Sequence, residues 1–241
     1  MNYNLIQIWY NEKKIELNTI IFKQRGLIMA NKRKTIQIIS LIIFIALIVL
    51  GNIQLWMAVF LGGLLLSTVK GRLYCGYVCP INTVMEAVDN DAGKRKRNRL
   101  NTPNFAKNSI VRLGVLVLFV ATFIFIQKTG KKLPVLPALF IIGIVLTVFF
   151  EPSFWHRYLC PYGTLFSFLS KKSKVGYTIS EEGCIKCGLC VKNCPSDAIK
   201  QEDKQTVPFI YKSECIVCGK CKEVCPTKVI SYDKGQSTQT I

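Results

Sequence analysis

The chain has 241 residues, of which 50% are hydrophobic and only 19% are charged, and its mean hydropathy is +0.31. This composition excludes a disordered chain and is unlike that of an ordinary soluble enzyme. The formal net charge is +18, but residues 176–241 carry nine Lys against eight Asp or Glu, so the excess lies upstream, beside long apolar runs. Basic residues that flank apolar runs are typical of membrane topology and not of a DNA-binding face. We therefore expect a membrane protein with a small, nearly neutral C-terminal domain and no nucleic-acid partner.

Residues 1–28 mix polar and apolar side chains without a helical or strand period. Met29 is followed by basic residues and then at once by an apolar run, which is how many bacterial inner-membrane proteins begin. We expect residues 1–28 to be an extension assigned to the chain in error, with Met29 as the true start. The alternative is an interfacial segment that lies on the membrane through Leu5, Ile8 and Trp9.

Four apolar runs predict four transmembrane helices, over residues 36–50, 53–69, 110–126 and 133–150. Each run is near the lower end of the roughly 17–25 residues that cross a hydrocarbon core. The first two runs form a hairpin through Gly51 and Asn52, and the last two form a second hairpin. The alternative is a set of buried helices in a soluble protein, but four such apolar runs within residues 36–150 are too many for a soluble core.

The distribution of Lys and Arg predicts the orientation of these helices. Residues 70–112 carry nine basic side chains, whereas the loop between the third and fourth runs carries three. The positive-inside rule therefore places residues 70–110, the N-terminus and everything after Phe150 in the cytoplasm. We expect a multi-pass protein of the inner membrane with both termini in the cytoplasm. All eleven cysteines then face a reducing compartment, where metal ligation is a better explanation than disulfides.

The strongest motif lies in the C-terminal part, where the spacing Cys-x2-Cys-x2-Cys-x3-Cys-Pro occurs twice at an offset of 31 residues. This is the bacterial ferredoxin spacing. Three cysteines wrap one 4Fe–4S cluster, and the fourth, at the predicted start of a short helix, ligates the cluster of the other repeat. Two zinc sites, the alternative, would need a separate four-ligand set for each ion. The first cluster is assigned to Cys184, Cys187, Cys190 and Cys225, and the second to Cys215, Cys218, Cys221 and Cys194.

The other three cysteines and the single histidine follow the two hairpins. Cys75-x3-Cys79-Pro follows the first hairpin, and His156-x3-Cys160-Pro follows the second at an offset of 81 residues. A short helix is predicted to begin at each proline. Both hairpins leave the membrane on the same side, so a parallel repeat about an axis along the membrane normal would bring the motifs together. We expect these four residues to form a third, juxtamembrane iron–sulfur or iron site. The alternatives are an open iron site, buried free thiols, and a histidine that only packs.

These motifs predict the fold class. We expect an α-helical membrane protein whose four transmembrane helices form two pseudo-symmetric hairpins, joined to a small α+β bacterial two-cluster ferredoxin domain. The membrane domain is placed at residues 29–172 and the ferredoxin domain at residues 176–241.

The segments CGYVCP and RYLCPYG, combined with the two-cluster tail, resemble the NapH-type membrane-bound 4Fe–4S ferredoxins over residues 36–232. That family includes the quinol dehydrogenase membrane subunit of periplasmic nitrate reductase systems and the membrane cores of related nitrous oxide reductase and cytochrome oxidase accessory proteins. The resemblance implies electron transfer between the quinone pool and a redox partner. This chain departs from the family pattern at His156, where a cysteine is expected.

Three functions are compatible with these motifs. The first is a membrane-anchored iron–sulfur protein, the electron-transfer subunit of an oxidoreductase system, which exchanges electrons between quinone or a juxtamembrane site and a partner protein. The second is a maturation factor that reduces a metal destined for a respiratory metalloenzyme, and the third is a redox-sensing regulator. We favour the electron-transfer function. A maturation factor would need further soft metal ligands away from the clusters, and a redox-sensing regulator would need a DNA-binding or kinase-like segment.

Overall fold

The computed structural model describes residues 31–94, 98–129 and 135–233. The expectation for residues 1–28 and the end of the predicted ferredoxin domain, residues 234–241, lie outside this part of the chain. In chain order its first half contains α1 (31–49), α2 (Gln54–Lys70), a first π-helical turn (Tyr74–Val78), α3 (Pro80–Lys94), a 3-10 turn (Asn104–Lys107), α4 (Ser109–Thr129), α5 (Val135–Phe149), a second π-helical turn (Phe154–Leu159) and α6 (Pro161–Ser170).

Over the described residues the four apolar runs are helical, and the helix that follows each hairpin packs on the other hairpin. Helix α3, which follows the first hairpin, packs on α5 of the second, and α6, which follows the second hairpin, packs on α2 of the first. These two contacts are equivalent under the 81-residue offset. The reversal between α1 and α2 includes Gly51, whose φ of +72° is costly for residues with a Cβ atom. The exchange holds the ends of the two hairpins together.

The described residues contain one helical segment, Ser109–Ile126, that is long and apolar enough to cross a membrane. Helices α2 and α5 are apolar but shorter, with 17 and 15 residues. The helices therefore coincide with the four predicted runs, while the spanning of a membrane by all four stays a prediction.

The C-terminal part is a small α+β unit in which each half supplies one strand to each sheet. It contains β1 (Gly176–Ile179), α7 (Leu189–Lys192), β2 (Ile199–Lys200), β3 (Phe209–Ile210), α8 (Lys220–Val224) and β4 (Ile230–Asp233). Strand β1 pairs antiparallel with β4, and β2 pairs antiparallel with β3. Because β1 and β2 belong to the first repeat and β3 and β4 to the second, the halves interlock instead of folding side by side.

One local prediction for this unit is wrong. The fourth cysteine of each repeat does not begin a helix, since the chain turns at once after Cys194 and Cys225. Asp197 and Lys228, which are equivalent at the 31-residue offset, have left-handed φ values of +50° and +56°. A left-handed residue three positions after the cysteine cannot continue a right-handed helix, so the chain enters β2 or β4 directly.

Candidate metal centres

The predicted ligands of the first cluster surround one cavity. Cys184, Cys187 and Cys190 of the first repeat line it together with Cys225 of the second. This is the crossed set that the spacing predicts. Cys187 is exposed, so this cavity lies close to the surface of the protein.

The predicted ligands of the second cluster lie deeper. Burial raises the pKa of Cys215 to about 12 and that of Cys218 to about 11, and the neighbouring thiol of Cys194 adds to both shifts. Burial and the same neighbour also raise the pKa of Cys221. Cys194 of the first repeat therefore lies beside the three cysteines of the second, as the crossed assignment requires.

The two cysteine loops share one backbone conformation. Lys186 and Val217 have φ values of +57° and +56°, and Gly188 and Gly219 have values of +70° and +79°. Each pair is equivalent at the 31-residue offset. Turns of this kind direct successive N–H groups to one side and form the concave backbone sites that hold anions and iron–sulfur clusters. The loop conformation therefore fits the clusters that the cysteine spacing predicts.

Over residues 31–94, 98–129 and 135–233, no three His, Cys, Asp or Glu side chains converge closely enough to ligate a single metal ion. A 4Fe–4S cluster offers one iron to each of four cysteines, so its ligands surround a volume instead of meeting at a point. The cysteines that line the first cavity have this kind of arrangement.

The predicted juxtamembrane ligands line a different cavity. Cys75, Cys79, His156 and Cys160 all border it, beside Arg72. Their positions come from the two π-helical turns, which end in equivalent hydrogen bonds, from the amide of Cys79 to the Tyr74 carbonyl and from the amide of Cys160 to the Trp155 carbonyl, each 2.9 Å long. Helices α3 and α6 begin at the next residue, Pro80 and Pro161, as predicted.

Two orphaned donors show that this juxtamembrane cavity suits a sulfur-rich group. The Arg72 side chain is only 1% exposed, and its Nε has no hydrogen-bond partner. The buried Nδ2 of Asn82 also has none, and both residues line the cavity. Buried N–H groups without acceptors are costly, and donors of this kind hydrogen-bond to the sulfurs of iron–sulfur sites. The residues present therefore fit an iron–sulfur group.

The protonation states of the side chains in this cavity also suit metal ligation. Burial lowers the pKa of His156 to about 3, so the imidazole is neutral and its free nitrogen suits a metal. Burial raises the pKa of Cys160 to about 11 and also raises that of Cys79. For Cys75, burial raises the pKa while the neighbouring Arg72 opposes that shift. The three thiols are neutral in this setting, and ligation of a metal would release their protons to water.

The juxtamembrane motif touches the second cluster loop directly. A Cβ atom at Gly76 would lie 2.2 Å from the carbonyl oxygen of Ile216 and 3.2 Å from that of Val217. Glycine is required here because backbone meets backbone. His156 and Cys218 also border one small cavity between the two motifs. The juxtamembrane site and the second cluster site are therefore neighbours.

The two cluster loops differ in exposure although their sequences repeat. Ile216 of the second loop is 1% exposed, whereas its repeat equivalent Ile185 is 62% exposed. The second loop is covered by the helical part of the chain, where Ile216 packs with Phe60, Tyr74 and Phe166, and the first loop faces outward.

A buried charge network fastens the ferredoxin domain beside this contact. Glu214 accepts from Arg112 at 2.7 Å and from Ser167 at 2.9 Å, and its second carboxylate oxygen lies 3.4 Å from Arg72. Burial alone would raise the pKa of Glu214, but Arg72 and Arg112 hold it below its usual range.

The sequence did not reveal the roles of Gly76, Arg72 and Glu214 in the contact between the two domains. The only hint was that Gly76 stands where the other repeat has Arg157. Within a repeat, a glycine at such a position can indicate that another backbone comes close.

The comparisons with known proteins agree with this arrangement. The 4Fe–4S dicluster domain family matches residues 178–232. A 4Fe–4S binding domain family matches residues 52–99 and 133–178, which are the two copies of the hairpin end and its motif. No solved structure matches the chain.

Several curated proteins are similar to about half of this chain. An uncharacterized protein of Methanocaldococcus jannaschii is 26% identical over 134 residues, which are 55% of this chain and 54% of that protein. The "Putative electron transport protein YccM" of Escherichia coli is 25% identical over 158 residues, 55% of this chain and 44% of that protein. The methylamine utilization ferredoxin-type protein MauN of Methylobacillus flagellatus is 27% identical over 148 residues, 52% of this chain and 48% of that protein.

The chain thus spans about half the length of the curated relatives it matches. None of these three relatives is named as a NapH-type protein, so that finer resemblance stays a prediction. The family matches and the names of the relatives support a place among the 4Fe–4S ferredoxin-type proteins, which transfer electrons through iron–sulfur clusters.

Proposed function

We propose that this protein is a membrane-anchored electron carrier. Electrons pass between the juxtamembrane site and a partner protein through the second cluster and then the first. The observation that carries this order is the backbone contact between Gly76 and Ile216, because it sets the juxtamembrane motif against the loop of the second cluster. Electron flow in the opposite direction would use the same path.

The membrane placement is supported by the outer faces of the helices. Large apolar side chains are exposed along all four, including Ile42 on α1, Leu65 on α2, Leu118 on α4 and Ile141 on α5, each at least 60% exposed. Soluble proteins rarely leave such continuous apolar surface uncovered, and a lipid bilayer would cover it.

The membrane end of the path is where a quinone would exchange electrons. The cavity of Cys75 and Cys160 is also lined by Phe44 of α1 and by Trp56 and Phe60 of α2, so its other side faces the apolar helices. A quinol that reaches this side gives up two electrons and two protons. Clusters held by the cysteine sets would accept these electrons one at a time, and the two protons would pass to water.

The other end of the path is the first cluster. Its loop presents the exposed side chains of Ile185, Cys187 and Leu189. Exposed apolar residues beside a cluster suit brief contact with a redox partner, such as a soluble electron carrier or a subunit of a respiratory complex. The equivalent face of the second loop is already occupied by the membrane domain.

Topology reporters test the membrane placement. Fusions after Arg99 and at the C-terminus should report the cytoplasm, and a fusion after Thr129 should report the external side. An external signal at the C-terminus would reject the orientation.

Reoxidation kinetics test the path. In nanodiscs that contain menaquinone, the dithionite-reduced clusters of the intact protein should pass two electrons to each quinone, which also takes up two protons. Cys75→Ser should slow this reaction, while oxidation by water-soluble ferricyanide, which reaches the exposed first cluster, should keep its rate. Reoxidation of Cys75→Ser by menaquinone at the wild-type rate would reject the path.

A further inference from the structure

A large cavity lies between the helical domain and the ferredoxin domain, and none of the predicted cluster ligands lines it. Its volume is about 690 Å³, within the range of small-molecule sites. The start of α4, one side of α6 and the chain around β3 form its walls, and no cysteine lines it. Neither the clusters nor the proposed electron path uses this cavity.

The walls of this cavity are strongly basic. Five basic side chains line it, against two carboxylates: Lys107, Arg112, Arg157, Lys171 and Lys212 against Glu181 and Glu214. The carboxylate of Glu214 already has Arg72 and Arg112 as partners. Arg157 also has Asp197 as a partner, so five basic side chains face three carboxylates, and this excess favours an anionic ligand.

Two polar atoms at the cavity lack a partner. The Nη2 of Arg112 and the Oγ of Ser173 are buried and have no hydrogen-bond partner in the described part of the chain. Ser173 is 9% exposed, and both residues line the cavity. Leaving a buried guanidinium N–H without an acceptor is costly, and a rotation of the Arg112 side chain toward the cavity would let Nη2 donate to a phosphate oxygen.

The same cavity has an apolar edge. Leu113 on α4 and Phe168 on α6 line it, and each is 53% exposed. The ammonium group of Lys171 lies 5.7 Å from the centre of the Phe168 ring, so a basic and an apolar wall meet there. A ligand that fits both walls has an anionic head and an apolar tail.

We propose that this cavity binds the phosphate headgroup of an anionic phospholipid, with acyl chains along Leu113 and Phe168. Basic pockets beside transmembrane helices on the cytoplasmic side are suited to such headgroups. The proposal rests on the membrane placement proposed above. The bound lipid contacts α4, α6 and the chain next to Glu214, so it also holds the ferredoxin domain against the membrane.

Native mass spectrometry of the delipidated full-length protein tests this proposal. Phosphatidylglycerol is the probe, and phosphatidylcholine, inorganic phosphate and menaquinone are titrated in parallel. The cavity variant Lys107→Gln/Lys171→Gln removes two positive charges from the walls. The control Lys172→Gln/Lys174→Gln removes two exposed charges of the same region that do not line the cavity.

We expect phosphatidylglycerol to bind more tightly than phosphatidylcholine, and the cavity variant to weaken its binding about tenfold or more with little change in the control. Equal weakening in both variants would show general surface attraction and overturn the proposal. Inorganic phosphate that binds as tightly as the lipid, or menaquinone that displaces it, would also overturn it.

Vesicle flotation distinguishes failure of the lipid-site proposal from failure of the proposed membrane function. A protein that does not float with vesicles rejects the membrane placement itself. A protein that floats, but whose cavity variant binds phosphatidylglycerol like the wild type, rejects only the lipid site.

Discussion

Replacing Gly76 with alanine perturbs the contact between the membrane domain and the second cluster loop. The added Cβ atom would lie 2.2 Å from the carbonyl oxygen of Ile216, and both groups belong to backbone. The two surfaces must separate by roughly 1 Å to reach an ordinary contact distance. Overpacking of this kind costs about 1–3 kcal/mol, which shifts the equilibrium between docked and undocked domains about 5- to 150-fold.

Hydrogen exchange of the peptide that covers residues 213–221 measures this shift in nanodiscs. We expect faster exchange in Gly76→Ala, slower reoxidation of the clusters by menaquinone, and unchanged iron content. Gly93→Ala is the matched control, because a Cβ atom at Gly93 would meet nothing within 4 Å. Wild-type exchange and wild-type reoxidation in Gly76→Ala would refute the idea that electrons cross at this contact.

Three further variants test the ligand sets and the charge network. Cys184→Ala should lose about four iron atoms and destabilise the remaining cluster, because the repeats exchange ligands. Iron analysis and EPR measure this effect. A second cluster that stays fully stable in this variant would reject the crossed assignment. Glu214→Gln removes the buried carboxylate that Arg72 and Arg112 share and should weaken domain docking by about 3–5 kcal/mol, as measured by hydrogen exchange. The exposed Glu182→Gln should change docking by less than about 0.5 kcal/mol. His156→Cys should keep the juxtamembrane site and lower its reduction potential in an EPR-monitored titration, since a thiolate adds negative charge; an unchanged potential would make His156 a packing residue.

The cysteine sets of the tail could be predicted because their information is local. Each repeat places three cysteines within seven residues, and the 31-residue offset recurs in the strands and in the left-handed residues around them. The helix expected at the fourth cysteine was wrong, because the sequence signal for a left-handed residue is weak at Asp197 and absent at Lys228. Non-glycine residues adopt that conformation only where the surrounding fold requires it.

The convergence of the four juxtamembrane residues could be predicted from symmetry, whereas their ligation of iron stays a prediction. Cys75 and His156 are far apart in the chain, and only the 81-residue repeat relates them. The exchange of α3 and α6 between the hairpins then brings them to one cavity. The charge network was beyond sequence reasoning, because Arg72 and Glu214 belong to different domains and no pattern pairs them.

The most direct test of whether the membrane half is a redox centre is the iron and sulfide content of the full-length protein purified anaerobically. Two 4Fe–4S clusters in the tail would account for about eight iron atoms. We predict more than this in the wild type, and a fall to the tail value in Cys75→Ser/Cys160→Ser together with loss of one EPR signal. A wild-type protein with iron for the tail clusters alone, unchanged in that variant, would show that the membrane half is only an anchor.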